Sequence, residues 1–315
     1  MTLIAAFRTK DGVAICADSQ ETIGDFRQTV QKIAPISVAG YQLVIAGSGD
    51  ADPIEGFIIR VKRRFSQESL PPTTDHALFL LEDELALFYS KDLASEQSMK
   101  LFIAVSCPAS KEYKVWVSYQ HILKELGDVE LIGWEEPLYK VTATRMYQPN
   151  MSLQQAVIAA VNVLVIGEES SNYIKGPFSL AIIRENGIWI ETEEYINTLR
   201  DRLNKFEAYT NQILLACADT SIYSRDLHKA LVNFAVTAQT MHEEQINEAI
   251  AKSAKRGFQI NDPLSKVPPG ILVEVGNDGN IRVRHDVNGI EEMVKRVNIA
   301  LEKQRKDEEA TGVKE

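Results

Sequence analysis

The chain is poor in the residues that carry redox, metal and membrane chemistry. It has three cysteines, Cys16, Cys107 and Cys217, and all lie far apart among largely apolar neighbours. An odd, scattered set suits reduced core thiols and not a disulfide framework. The five histidines, His76, His121, His228, His242 and His285, fall at no metal-ligand spacing, so neither a zinc site nor a Cys–His nucleophile pair is expected. No metal or organic cofactor is called for. No apolar run approaches the roughly 20 residues of a membrane helix, and the apolar opening is broken by Arg8 and Lys10, unlike an export leader. Positive charge is the scarcer sign: 34 Lys and Arg against 44 Asp and Glu leave a net charge of -10. That balance repels phosphate backbones. The expectation is a cytoplasmic protein with no nucleic-acid and no membrane partner.

The remaining composition is that of an ordinary globular protein, 45% apolar and 25% charged over 315 residues, enough for one large core plus an appended module. Strands are expected at 3–9 and 13–17 around Asp11-Gly12, and at 32–38 and 41–48 around Ala39-Gly40. Asp50 reads as a helix N-cap, with Ile54, Phe57, Ile58 and Val61 at helical spacing after it. A second helix is expected over about 74–90. Strands follow at 101–107, 113–120 and 128–133. Helices come next near 135–147 and 152–169, the latter opened by Ser152 and Gln155 as a capping box. A last strand pair is expected at 178–184 and 187–192. Past residue 193 the chain turns to long charged helical stretches, 193–217 and 225–256. A Pro-containing segment, a hairpin near 271–285, a helix near 288–305 and a solvated tail complete it.

The opening stretch, "MTLIAAFRTKDGVAICADSQ", sets threonine directly behind the initiator methionine. Removal of Met1 leaves a hydroxyl and a free α-amino group on Thr2, so one residue supplies both nucleophile and general base. An unperturbed α-amine has a pKa of about 7.7–8.0, which leaves a fair share neutral near neutral pH. A nearby ammonium lowers it further.

Thr2, Lys10-Asp11-Gly12-Val13, Ala17-Asp18-Ser19, Lys32-Ile33 and Ala46-Gly47-Ser48 resemble, in order and spacing, the amino-terminal half of proteasome β-type subunits, members of the N-terminal nucleophile hydrolases. The resemblance implies an α+β fold, a four-layer αββα sandwich of two mainly antiparallel sheets between helix layers. It also implies roles. Thr2 is the nucleophile, Lys32 supplies positive potential beside it, Asp18 pairs with Lys32, and the Gly47 N–H faces the tetrahedral oxyanion. Thr22 and Gly49 line the cleft and meet substrate backbone, while Val30 and Ile45 shape the first specificity pocket. Peptide or protein substrates and a homo-oligomeric ring or stacked assembly come with the family; an ATPase partner is not identified by the sequence.

The resemblance fades toward residue 190. Active members carry Asp-x-x-Ser-Gly-Gly where this chain has Asn172-Tyr173-Ile174-Lys175-Gly176-Pro177, and Gly-Ser-Gly where it has Gly133-Trp134-Glu135. Trp134, Asn172 and Lys175 therefore stand in for groups that surround the terminal amine, with Glu169, Ser170 and Ser171 as nearby candidates to substitute. The organisation expected is a hydrolase domain over 1–192 and a helical extension over 193–315. The function expected is threonine-type hydrolysis of peptide bonds through an acyl-enzyme on Thr2. The alternatives are a small-molecule amidase on the same fold and a catalytically silent ring or scaffold protein.

Overall fold

The structure, a computed structural model, describes residues 2–23, 26–90, 99–133, 136–218, 224–255, 271–275 and 281–285. The segment 261–270, the helix expected near 288–305 and the tail after it lie outside the described residues. The chain divides into two compact units, Met1–Glu207 and Ala208–Glu315.

In the first unit the strands form two five-stranded sheets. One has the order β10-β1-β2-β11-β12, built from β1 (Leu3–Thr9), β2 (Gly12–Ala17), β10 (Val129–Gly133), β11 (Ser179–Arg184) and β12 (Gly187–Ile190). The other has the order β5-β6-β7-β8-β9, from β5 (Ile33–Val38), β6 (Tyr41–Gly49), β7 (Met99–Cys107), β8 (Glu112–Tyr119) and β9 (Ile122–Glu125). Every pairing within them is antiparallel. A separate ribbon, β3 (Gln20–Ile23) with β4 (Phe26–Thr29), leaves the end of β2. The expected mixture of helices with two antiparallel sheets is thus observed, while β3, β4 and β9 were not anticipated.

Strand periodicity explains why β1 and β2 are buried almost throughout. Alternate residues enter different clusters, because successive side chains point to opposite faces. Ile4, Ala6, Val13, Ile15 and Ala17 join Ile33, Val44, Ala46, Phe102 and Ala104 from the other sheet. Leu3, Ala5, Phe7, Ala14 and Cys16 instead meet residues of α3 (Glu136–Met146), α4 (Leu153–Ser170) and the first turns of α5 (Glu193–Ala218). On the second sheet, Leu43, Ile45, Leu101, Ile103 and Val105 pack on α1 (Ala51–Ser66) and α2 (Thr74–Ser90). Alternate residues of β1 and β2 thus join side chains of the second sheet or side chains of helices. Cys16 and Cys107 are buried in these clusters, whereas Cys217 of α5 is exposed and not the core thiol expected.

The turns show how the chain sets these strands. Thr9 is in register with Gly12, so the first turn is Lys10-Asp11 and Gly12 already belongs to β2, one residue earlier than Asp11-Gly12 suggested. Its glycine is still demanded: φ is +151° and a Cβ would lie 2.4 Å from the Ile183 carbonyl oxygen on β11. Asp50 precedes α1 as expected but makes no side-chain cap bond. The capping box at Ser152 and Gln155 forms in both directions.

In the second unit, α6 spans Ser224–Lys255, and β13 (Ile271–Val275) pairs antiparallel with β14 (Ile281–His285) as the expected hairpin.

Candidate active site

Strand ends converge at one end of the cluster between the sheets. β1 starts at Leu3, β2 stops at Ala17 and β5 starts at Ile33, whose register partner on β6 is Ala46. Ile4, Ala17, Ile33 and Ala46 all belong to that cluster. Packing of these apolar neighbours delivers Asp18, Lys32 and the main chain before Leu3 to the same place.

Asp18 is fully buried and fully occupied. Its Oδ1 accepts the Leu3 N–H at 2.9 Å, its Oδ2 accepts the Gln20 N–H at 3.2 Å, and Lys32 Nζ donates to each oxygen at 2.9 Å. Lys32 also donates to the Gln20 carbonyl at 2.6 Å, and its side chain is only 6% exposed. Such charge-assisted bonds satisfy groups that would otherwise be expensive to bury. Burial raises the Asp18 carboxyl above its ordinary range; the Lys32 charge and the N–H bonds oppose that. Burial likewise pushes the Lys32 ammonium below its ordinary value, against the pull of Asp18.

Thr2 is buried and sits one residue before the Leu3 amide that Asp18 holds. On its other side is Gly133, the register partner of Leu3. Gly133 has φ +126°, and a Cβ there would come within 1.8 Å of the Thr2 carbonyl oxygen. Only glycine lets β10 close on Thr2 in this way. Gly47 is buried on β6, and a Cβ at this position would meet Ile54 of α1 at 2.8 Å and Leu101 at 3.0 Å. The packing of α1 thus needs a glycine there whatever its N–H does.

The residues expected to line a cleft occupy different settings. Thr22 is half-buried on β3 and its Oγ1 accepts Gln20 Nε2 at 3.4 Å. Val30 is half-buried, and its N–H donates to the Ser19 carbonyl at 2.8 Å. Gly49 is exposed at the end of β6. Ile45 is wholly buried, its side chain turned to the cluster of α1 and α2.

Comparison by residue type missed what the loop after α4 does. Asn172 is exposed, but its main-chain carbonyl accepts Gln20 Nε2 at 3.2 Å. The Lys175 carbonyl accepts the N–H of Ser19 at 3.4 Å and of Gln20 at 3.0 Å, while its ammonium donates to the Glu168 carbonyl in the last turn of α4. Gly176, with φ +92°, lies so close that a Cβ would be 2.4 Å from Ser19 Oγ. The signal lay in Gly176 and Gln20, through main-chain docking that no side-chain motif encodes. The Ser170 hydroxyl donates to the Ile166 carbonyl and pairs with the Tyr139 hydroxyl of α3, the Ser171 hydroxyl accepts the Tyr173 N–H, and Glu169 is exposed. Trp134 and Glu135 lie outside the described residues. Among the described residues no His, Cys, Asp and Glu cluster is arranged to hold a metal, and no helix is long and apolar enough to cross a membrane.

Fold and geometry together define a class, a mixed α/β protein built on two antiparallel sheets with a buried Asp–Lys pair at a strand amino terminus. No protein-family model matches the chain, and no curated protein does. Solved structures do. Anbu, the ancestral beta-subunit, from Yersinia bercovieri is similar with a TM-score of 0.55 at 18% identity, over 67% of this chain and 96% of that one. The Gly-1 mutant of Anbu from Hyphomicrobium sp. strain MC1 gives 0.58 at 16% identity, covering 70% and 100%. Anbu from Pseudomonas aeruginosa, solved as the helical assembly of the Anbu complex, gives 0.57 at 16%, covering 71% and 99%. At these identities the likeness is one of fold alone.

Proposed function

We propose that this protein is an N-terminal threonine hydrolase that cleaves peptide bonds, acting after removal of Met1. The observation that carries this reading is the Lys32–Asp18 pair, 2.9 Å apart and tied at 2.9 Å to the Leu3 N–H, directly behind Thr2. Thr2 Oγ attacks the scissile carbonyl carbon and its proton passes to the freed α-amine. The new C–O bond forms as the carbonyl becomes an oxyanion facing the Gly47 N–H. Collapse breaks the C–N bond, the leaving amine takes the proton, and water then hydrolyses the ester to regenerate Thr2. Lys32 supplies positive potential throughout and Asp18 offsets the cost of burying it. Thr22, Val30 and Gly49 are the groups open to substrate, while Ile45, wholly buried, acts on the pocket only from beneath.

The three side-chain clusters support the four-layer αββα arrangement of this hydrolase class; the division into 1–192 and a helical extension over 193–315 rests on composition, while Tyr195, Ile196 and Leu199 join the first cluster. The helical assembly of the Anbu complex from Pseudomonas aeruginosa supports a homo-oligomer here; a cytoplasmic location is part of the same proposal. A catalytically silent scaffold is the second reading. It is favoured by Lys175, whose ammonium is engaged by the Glu168 carbonyl where the resembled enzymes carry a serine.

Intact mass and a β-lactone probe separate the two. The hydrolase loses Met1 and is labelled on Thr2, while a Thr2→Ala variant is not. A protein that retains Met1 has no free amine on Thr2, and the hydrolase reading then falls.

A further inference from the structure

Lys175 departs from the pattern of the resembled enzymes, yet it is bonded at both ends. Its carbonyl receives the N–H groups of Ser19 and Gln20, the two residues that follow Asp18. Its ammonium reaches the carbonyl of Glu168, two residues before α4 ends, where the helix dipole favours a cation. The Glu168 carboxylate is in turn bound by Arg200 of α5, and the Arg200 guanidinium lies 5.1 Å from the ring centroid of buried Phe178. Contacts therefore run without a gap from α5 through α4 to the Ser19–Gln20 turn. The Gln20 carbonyl and N–H are themselves partners of Lys32 and Asp18.

We propose that Arg200, Glu168 and Lys175 form a positioning clamp through which α5 holds the Ser19–Gln20 turn, and with it the Lys32 ammonium, in place beside Thr2. The clamp rests on the hydrolase reading only for its effect on rate; its effect on the turn is independent of chemistry. None of its three members touches substrate. The Lys175 main chain docks the turn, its side chain anchors that main chain to α4, and Arg200 fixes the α4 end against α5.

The test uses the full chain with Arg200→Met, Arg200→Lys, Glu168→Gln and Lys175→Met. Amide hydrogen exchange is followed over the segment 16–23, together with the kinetics of Thr2 labelling by a β-lactone. Arg200→Met and Lys175→Met should each speed exchange at Ser19 and Gln20 by about tenfold. The same variants should slow the first-order labelling step by a similar factor, with no change in the probe concentration giving half-maximal rate. Arg200→Lys should restore both, which a general loss of packing would not allow. Unchanged exchange in Arg200→Met and Lys175→Met, with urea midpoints close to the parent's, overturns the clamp. A parent chain that the probe never labels overturns the hydrolase reading, and exchange alone then decides the clamp.

Discussion

Asp18 concentrates the energetic risk of this fold in one side chain. A carboxylate that is fully buried and bonded to Lys32 and two backbone N–H groups is tolerable only while those partners stay. In Lys32→Met the ammonium is gone but the carboxylate's burial remains, so the Asp18 pKa, already raised by burial, rises further. A carboxyl whose folded pKa exceeds its unfolded value contributes stability that is fully present below the unfolded pKa and lost as pH rises through the folded one. The deficit of Lys32→Met relative to the parent should therefore be small near about pH 4 and grow to about 3–5 kcal/mol by about pH 8. Urea unfolding of both proteins across that range checks it. A deficit that does not vary with pH would mean that Asp18 finds another cation or water, and the pair would lose its structural meaning.

Among the secondary-structure elements, the turn at Ala39-Gly40 offers a clean test of local strain. Both residues have positive φ, 48° and 81°, between Val38 and Tyr41 in register. This is the two-residue hairpin geometry that favours Asn-Gly. Alanine there works against its own Cβ, so Ala39→Asn should stabilise the protein by about 1 kcal/mol, read as a higher urea midpoint at unchanged slope. The strands around this turn were legible because alternation and turn residues agree. The same holds for α4, where a capping box precedes a long apolar run. The ribbon of β3 and β4 was hidden because Gln20–Ile23 and Phe26–Thr29 are short and mostly polar, with one apolar residue each, and the Gly24-Asp25 dipeptide between them was the signal left unread. At the site, Thr2 could be picked out by its place behind Met1, and Asp18 and Lys32 through the resemblance to proteasome β-type subunits. Gln20 drew no notice, and Lys175 only as a departure from the resembled pattern, since the docking between them runs through a carbonyl and N–H groups that any residue type carries. Gly133 was visible as a glycine, but its reason, contact with the Thr2 carbonyl, is a fact of register alone.

For the molecule as a whole, the change in composition near residue 193 and the reach of the core do not coincide. The resemblance to proteasome β-type subunits stops before α5, and the Anbu structures are matched over about two thirds of the chain, 67% to 71%. Yet Tyr195, Ile196 and Leu199 at the start of α5 are buried with α4 and the first sheet, and Leu203 packs on the same cluster. Arg200 adds its bond to Glu168. Among the described residues, every member of the three clusters lies at or before Leu203. A chain ending at Glu207 should consequently unfold as cooperatively as the parent, with the near-UV signal of its packed aromatics retained. One ending at Thr192 loses three buried side chains, each worth about 1.5–3 kcal/mol, and uncovers their partners on α4. Its stability should fall by about 5 kcal/mol, a large part of what a domain of this size has. Urea titration of the two truncations decides the point. If the shorter chain matches the longer, the first turns of α5 are a surface appendage, and the contact of Arg200 with Glu168 cannot be what steadies the end of α4.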